Sequence, residues 1–175
     1  YKRQLSDGTT AGNRTAFSLI GTFMALWVIL YGLIQANAPR ILRAKTRPTD
    51  ELIKVARDWA WRLAAVPTIL TGVAIIAGEP QLWLTISLVT GLLIFGIVFA
   101  VNSSLHSYLI LSFTKAERVT MDVGFYYMAN AAGRLAGTLL SGLTYQIGGL
   151  PLMLGVAAFM VALSALMVGF LKPEP

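Results

Sequence analysis

The chain has no cysteine, a single histidine, and charge on only 13% of its 175 residues. Without cysteine it has no disulfide framework and no thiolate for a soft metal such as copper or trivalent arsenic. One imidazole, His106, cannot build a metal centre by itself. Signatures of intramembrane enzymes are missing too: there is no His-Glu zinc-binding run, no Gly-x-Ser-x-Gly elbow and no central pair of aspartates, so the chemistry expected here is not catalysis. A signal-peptide pattern of basic, apolar and small-residue regions is also absent from the start. Residue 1 is Tyr, and residues 1–16 read as a polar extracytoplasmic loop belonging to a longer protein.

What is present is apolar. Hydrophobic residues make up 56% of the sequence and the mean hydropathy is +0.68, a balance that soluble domains rarely show. The net charge of +6 does not point to nucleic acid, because the basic residues cluster beside apolar runs, where they report membrane orientation.

Five apolar segments, at residues 17–38, 59–77, 82–108, 122–147 and 150–171, each approach or exceed the roughly 20 residues that a helix needs to cross hydrocarbon. The expected fold is an all-α integral membrane bundle of five transmembrane helices. Gly78-Glu79-Pro80 and Gly148-Gly149-Leu150-Pro151 carry helix-stopping residues and predict tight hairpins. The link from Pro39 to Asp58 reads as long and basic. With Arg62 it supplies seven Lys/Arg, the 115–118 loop supplies two, and the tail at residues 172–175 supplies Lys172, against three on the opposite side. The positive-inside rule therefore puts these loops and the carboxyl end in the cytoplasm and the amino end outside. Trp59, Trp61 and Trp83 fit interfacial belts or ordinary packing.

Arg134 is the only charged residue between Asp122 and Lys172. A cation at the centre of a bilayer costs roughly 2.5–3.5 kcal/mol on insertion scales, so such a residue faces a cavity, a partner or a ligand. Its guanidinium is a fixed fork suited to carboxylate or phosphate-like oxygens. Asp122 is about 18 Å away along a helix axis, too far for an ion pair. The counter-charge is then a substrate anion or an acid elsewhere, and the second case would make the chain a structural or assembly subunit. Tyr126, Asn130 and Arg134 lie broadly on one helix side with Gly133 and Gly137 beside them. In the third segment Asn102/His106 and Ser103/Ser107 form adjoining polar stripes. They suit either helix-to-helix hydrogen bonding or the wall of a wet cavity, in which Asn102 and His106 donate to a substrate or His106 relays a proton.

The strings Val101-Asn102-Ser103-Ser104-Leu105-His106-Ser107-Tyr108 and Phe125-Tyr126-Tyr127-Met128-Ala129-Asn130-Ala131-Ala132-Gly133-Arg134-Leu135-Ala136-Gly137 resemble the organoarsenical efflux permease ArsJ family of the major facilitator superfamily. Ala25-Leu26-Trp27-Val28, Tyr31-Gly32, Gln35-Ala36 and Ala38-Pro39-Arg40 resemble it as well. The loop after the first span keeps only Pro39-Arg40 and Arg43 of the Asp-Arg-x-Gly-Arg pattern common in that superfamily.

The resemblance implies a twelve-helix carrier of which this chain holds the eighth to twelfth helices, most of the carboxyl-terminal six-helix bundle, with the amino-terminal half as its missing partner. It implies multi-pass residence in the inner (plasma) membrane and export of 1-arseno-3-phosphoglycerate, conferring arsenate resistance. It also implies a functional partnership with a glyceraldehyde-3-phosphate dehydrogenase and no cofactor. Arg134 would attract the anion, while Asn130, Tyr126, Asn102 and His106 would supply hydrogen bonds. A carrier for another organic anion, such as a sugar phosphate or carboxylate, is the alternative.

Overall fold

Long uncharged runs leave the backbone no partner but itself in an apolar medium, which favours helices that satisfy every internal N–H and C=O. The computed structural model describes residues 10–42, 46–114 and 117–171, and among them every regular element is helical. The order is α1 (Thr10–Ile41), α2 (Thr49–Ala77), α3 (Leu82–Phe113) and α4 (Val119–Val168). All four are long and apolar enough to cross a membrane.

Helix ends differ from the sequence expectation in a consistent direction. α1 begins at Thr10, so the expected opening loop of residues 1–16 is helical from residue 10 onward. At its other end α1 runs through Pro39 to Ile41. Proline has no N–H for the carbonyl one turn back and its ring crowds that carbonyl, yet the chain still continues past Pro39, with Leu42 N–H donating to Ala38 O at 3.0 Å. α2 starts at Thr49, ten residues before the expected 59. Asp50 and Glu51 occupy its first turn, where carboxylates favour the positive end of the helix dipole. The basic link expected over residues 39–58 is thus mostly helix. Residues 1–9, Arg43, Lys45, Lys115 and the tail at residues 172–175, which the sequence assigns to loops and a tail, lie outside the described residues.

The two glycine hairpins are used as expected. α2 stops at Gly78, whose φ of 64° favours glycine and whose N–H reaches Ala74 O at 3.3 Å. α4 is broken at Gly148 and Gly149, the latter at φ 64° and ψ −158°, a region open essentially to glycine alone. Beyond this break the chain returns, because Leu171 shares a cavity wall with Asp122 and Phe125 from the start of the same element.

Packing is centred on α2. Its buried residues Leu52, Ile53, Ala56, Ala60, Leu63, Ala64 and Pro67 recur every three or four positions and mark one face. That face meets Val101, Leu105 and Leu109 of α3, Ala38 of α1 and Val168 of α4 in the main core. A second cluster joins Ala74 and Ala77 to Leu84, with Leu150 and Leu154 of the returning arm against it. Thr71 and Thr68 donate to Pro67 O and Ala64 O at 2.7 and 2.8 Å, so their hydroxyls are satisfied inside the helix beside the proline. α1 approaches α3 closely at Gly96, where only a hydrogen leaves room for the Trp27 indole. The outgoing arm of α4, residues 119–147, buries only Thr144 and leaves most of its surface open.

Candidate functional site

Three helices bring polar side chains to one concave surface of about 350 Å³. α1 contributes Tyr31 and Gln35, α3 Ser103 and Ser107, and α4 Tyr126, Tyr127, Asn130, Ala131 and Arg134. On each helix the polar residues stand about one turn apart, which is how a helix lines a cavity with one stripe.

Aromatic packing sets the α1 wall. The Tyr31 ring stacks on Trp27 at 5.9 Å between centroids and leans on Phe99 at 5.7 Å, and Phe99 stacks on Phe95 at 5.8 Å. Trp27 is itself anchored, with Nε1 donating to Leu92 O at 3.0 Å. One turn further along α1, Gln35 Nε2 donates to Ser103 Oγ at 3.5 Å, a long contact that ties α1 to α3.

Hydroxyls join α3 to α4. Ser107 Oγ donates to Ser103 O at 3.0 Å, which uses its one hydrogen. The 3.2 Å contact between Ser107 Oγ and Tyr126 OH is therefore donated by the phenol. Asn130 Nδ2 donates to Tyr126 O at 3.2 Å, leaving its amide oxygen and second hydrogen for other partners. Tyr127 sits beside Tyr126 with ring centroids 5.7 Å apart.

Arg134 is exposed on the open side of this surface. Among the described residues it forms no ion pair, and the one ion pair present joins Arg57 to Asp58. The lining holds one permanent cation, three phenols, two amides and two hydroxyls, and no carboxylate. Such a surface offers positive charge and many neutral hydrogen-bonding groups, the combination that suits a small oxygen-rich anion.

Of the residues singled out from sequence, Arg134, Asn130 and Tyr126 come together here. Asn102 and His106 do not. His106 lines a separate cavity of about 470 Å³ with Asp122, Phe113, Thr114, Phe125 and Leu171, and only Tyr126 belongs to both. Its Nδ1 lies 2.8 Å from Asn102 O, so that nitrogen carries a proton and donates to its own helix. Asn102 Oδ1 is buried and accepts no hydrogen bond among the described residues. The reason is angular: neighbouring stripes on a helix diverge by about 100° per residue, and it is the 103/107 stripe that faces α1 and α4. The cavity also takes in Tyr31, Gln35, Ser103, Ser107 and Tyr127, which the sequence alone does not single out as ligand-binding. Their signal was the four-residue spacing of Tyr31/Gln35 and Ser103/Ser107 within otherwise apolar spans. Among the described residues no three His, Cys, Asp or Glu side chains gather to hold a metal ion.

Among the described residues the fold is all-helical, with four helices long and apolar enough to cross a membrane and a polar, arginine-bearing cavity between three of them. No protein-family model, curated protein or solved structure matches the chain.

Proposed function

We propose that this chain is the larger part of one half of a secondary active membrane carrier that exports an organic anion. The observation that carries the reading is Arg134, a permanent cation in an apolar span, opening onto a cavity that among the described residues has no carboxylate in its lining. The broken α4 supports reading its two arms as separate crossings, which gives five spans. With the basic loops inside, the amino end of the chain lies outside and the carboxyl end in the cytoplasm.

In this reading the three-helix surface is half of a site near the bilayer midplane, completed by a second bundle, and the two bundles rock to expose it alternately to each side. Arg134 attracts the anion, Asn130 and Tyr126 orient it, and Gln35, Ser103 and Ser107 replace part of its hydration shell. The ArsJ-like strings around His106 and Arg134 make an organoarsenical anion, 1-arseno-3-phosphoglycerate, the substrate we favour. A glyceraldehyde-3-phosphate dehydrogenase would then supply it, and the carrier would confer arsenate resistance in the inner membrane.

The test is arsenate resistance and arsenic retention in sensitive cells expressing the complete gene with the dehydrogenase, comparing wild type with Arg134→Gln at equal membrane abundance. Resistance that needs the dehydrogenase and disappears in the variant supports organoarsenical export through this cavity. Absence of resistance in wild type removes the arsenical and leaves the organic anion carrier. Loss of the variant from the membrane, with wild type present, favours a structural role for Arg134 and overturns the carrier reading.

A further inference from the structure

α2 is the helix whose charge and length disagree most. Between Arg62 and its end at Ala77 it carries no charge, and this stretch, residues 63–77, spans only about 22 Å at 1.5 Å per residue. The hydrocarbon layer is about 30 Å thick, so counting back from Ala77 by about 20 residues reaches Asp58. A crossing so placed holds Trp59, Trp61 and Arg62 in the boundary layer, where a short span draws headgroups inward and arginine side chains reach outward.

The rotation of α2 is fixed. Leu52, Ile53, Ala56, Ala60 and Leu63 are buried against the bundle, which leaves Lys54, Arg57, Asp58, Trp61 and Arg62 on the outer side. On that side Arg57 Nε lies 3.8 Å from Asp58 Oδ1, a loose and half-exposed pair. Its stem runs beside Gly169 of the returning arm. Arg62 has no carboxylate among the described residues. Its guanidinium carbon instead sits 5.0 Å from the centre of the Trp59 ring, which holds the cation in place without neutralising it. Asp50 and Glu51 lie two to three turns further out, in the first turn of the helix.

We propose that Arg62 and Arg57, with Trp61 between them, seat the phosphate of an anionic membrane lipid of the phosphatidylglycerol class. Two guanidinium groups against one aspartate leave the seat net positive, and Lys54 adds to that, so a lipid with net negative charge fits better than a zwitterionic one. With the hydrocarbon edge near Asp58, Arg57 lies at the headgroup side of that edge and Arg62 about 6 Å deeper, from where its long side chain reaches outward to the same phosphate layer. The exposed indole of Trp61 sits where amphipathic rings prefer the headgroup layer. This seat lies on the outer side of α2 and is independent of the Arg134 cavity.

The test uses the complete protein, purified in detergent, with lipid binding counted by native mass spectrometry for phosphatidylglycerol and phosphatidylcholine, and with Arg62→Gln, Arg57→Gln/Arg62→Gln and Arg62→Lys as variants. A basic residue near the surface contributes about fivefold to anionic-lipid affinity. The expected result is preference for phosphatidylglycerol in wild type, about fivefold weaker binding in Arg62→Gln, and about 25-fold weaker in the double variant. Arg62→Lys should stay near wild type. Unchanged phosphatidylglycerol affinity in the double variant, or equal affinity of wild type for both lipids, overturns the proposal. So does an equal fall in thermal stability of the double variant with and without lipid, since that points to a carboxylate elsewhere in the protein as the partner of Arg62.

Discussion

Adding a single methyl group at Gly96 should disturb the α1–α3 contact more than the same change at Gly91, although both glycines are equally crowded. A Cβ at position 96 would stand 2.6 Å from Trp27 Nε1, 2.8 Å from Cε2 and 3.1 Å from Cζ2. Ordinary carbon contacts lie near 3.5–4.0 Å, so the indole must retreat by about 1 Å. That motion opposes two restraints, the 3.0 Å hydrogen bond from Nε1 to Leu92 O and the stack on Tyr31. Overpacking costs about 1–3 kcal/mol and the lost hydrogen bond about 0.6 kcal/mol in a membrane bundle, while alanine returns about 1 kcal/mol of helix propensity over glycine. The net expectation for Gly96→Ala is a loss of about 1–2 kcal/mol, or a fall in Tm of about 3–6 °C for a unit of this size. At Gly91 the nearest atoms are the Leu70 methyl carbons, at 2.6 and 2.7 Å, and these are the ends of a flexible side chain that can rotate away. Gly91→Ala should therefore shift Tm by less than half as much.

The assay is thermal unfolding of the complete protein in detergent, read by tryptophan fluorescence and by size-exclusion chromatography after heating. A double-mutant cycle sharpens it, since in a Trp27→Leu background Gly96→Ala should cost nothing further. A Gly96→Ala protein as stable as wild type, or a larger penalty at Gly91, would falsify the claim that a rigid, doubly held indole sets the α1–α3 distance.

Three further outcomes follow from the geometry. Gly149→Ala forces a side chain into φ 64°, ψ −158° at the reversal of α4 and should cost about 1–3 kcal/mol, seen as lower membrane abundance and a lower Tm in detergent. In the proposed carrier, Gln35→Leu should raise the KM for the anion severalfold at similar abundance, whereas His106→Gln should leave KM unchanged, because Gln35 lines the Arg134 cavity and His106 does not; the reverse ranking in vesicle uptake would move the site to the His106 cavity. Tyr126→Phe removes the donor to Ser107 Oγ across 3.2 Å and should cost only about 0.6 kcal/mol of stability, while slowing turnover if this hydroxyl pair holds the α3–α4 wall in shape during transport.

The fold was legible wherever composition alone decides. Unbroken apolar runs of about 20 residues suit helices and not the short alternating strands of a barrel, so the positions of the apolar segments and of the Gly78 and Gly148-Gly149 reversals were readable. Helix ends were not. Hydropathy marks where apolar character stops, but a helix stops where its backbone bonds can no longer be made. Thr49 to Asp58 is charged and still helical because Leu52, Ile53 and Ala56 give it a face to bury, and α1 runs on to Ile41 past Pro39, beside Ala38, which the same core buries.

The lining of the Arg134 cavity was legible on α4 and ambiguous on α3, and one cause explains both. Arg134 identifies its own stripe, because a cation in an apolar span permits few orientations, and Asn130 and Tyr126 follow at one-turn intervals. On α3 no residue plays that part, and Asn102/His106 and Ser103/Ser107 compete on equal terms in the sequence. Histidine and asparagine look the more functional pair, yet their neighbours' packing decides: Val101, Leu105 and Leu109 commit α3 to the α2 core, and that rotation presents Ser103 and Ser107 to Gln35 and Tyr126. Tyr31 is placed by the same logic one helix away, since Trp27 can stack on it only because Gly96 lets the indole in. The residues that line the cavity are thus chosen by residues that never touch it, and any assignment of ligand-binding roles along these helices has to begin from the glycines and core leucines that set their rotation.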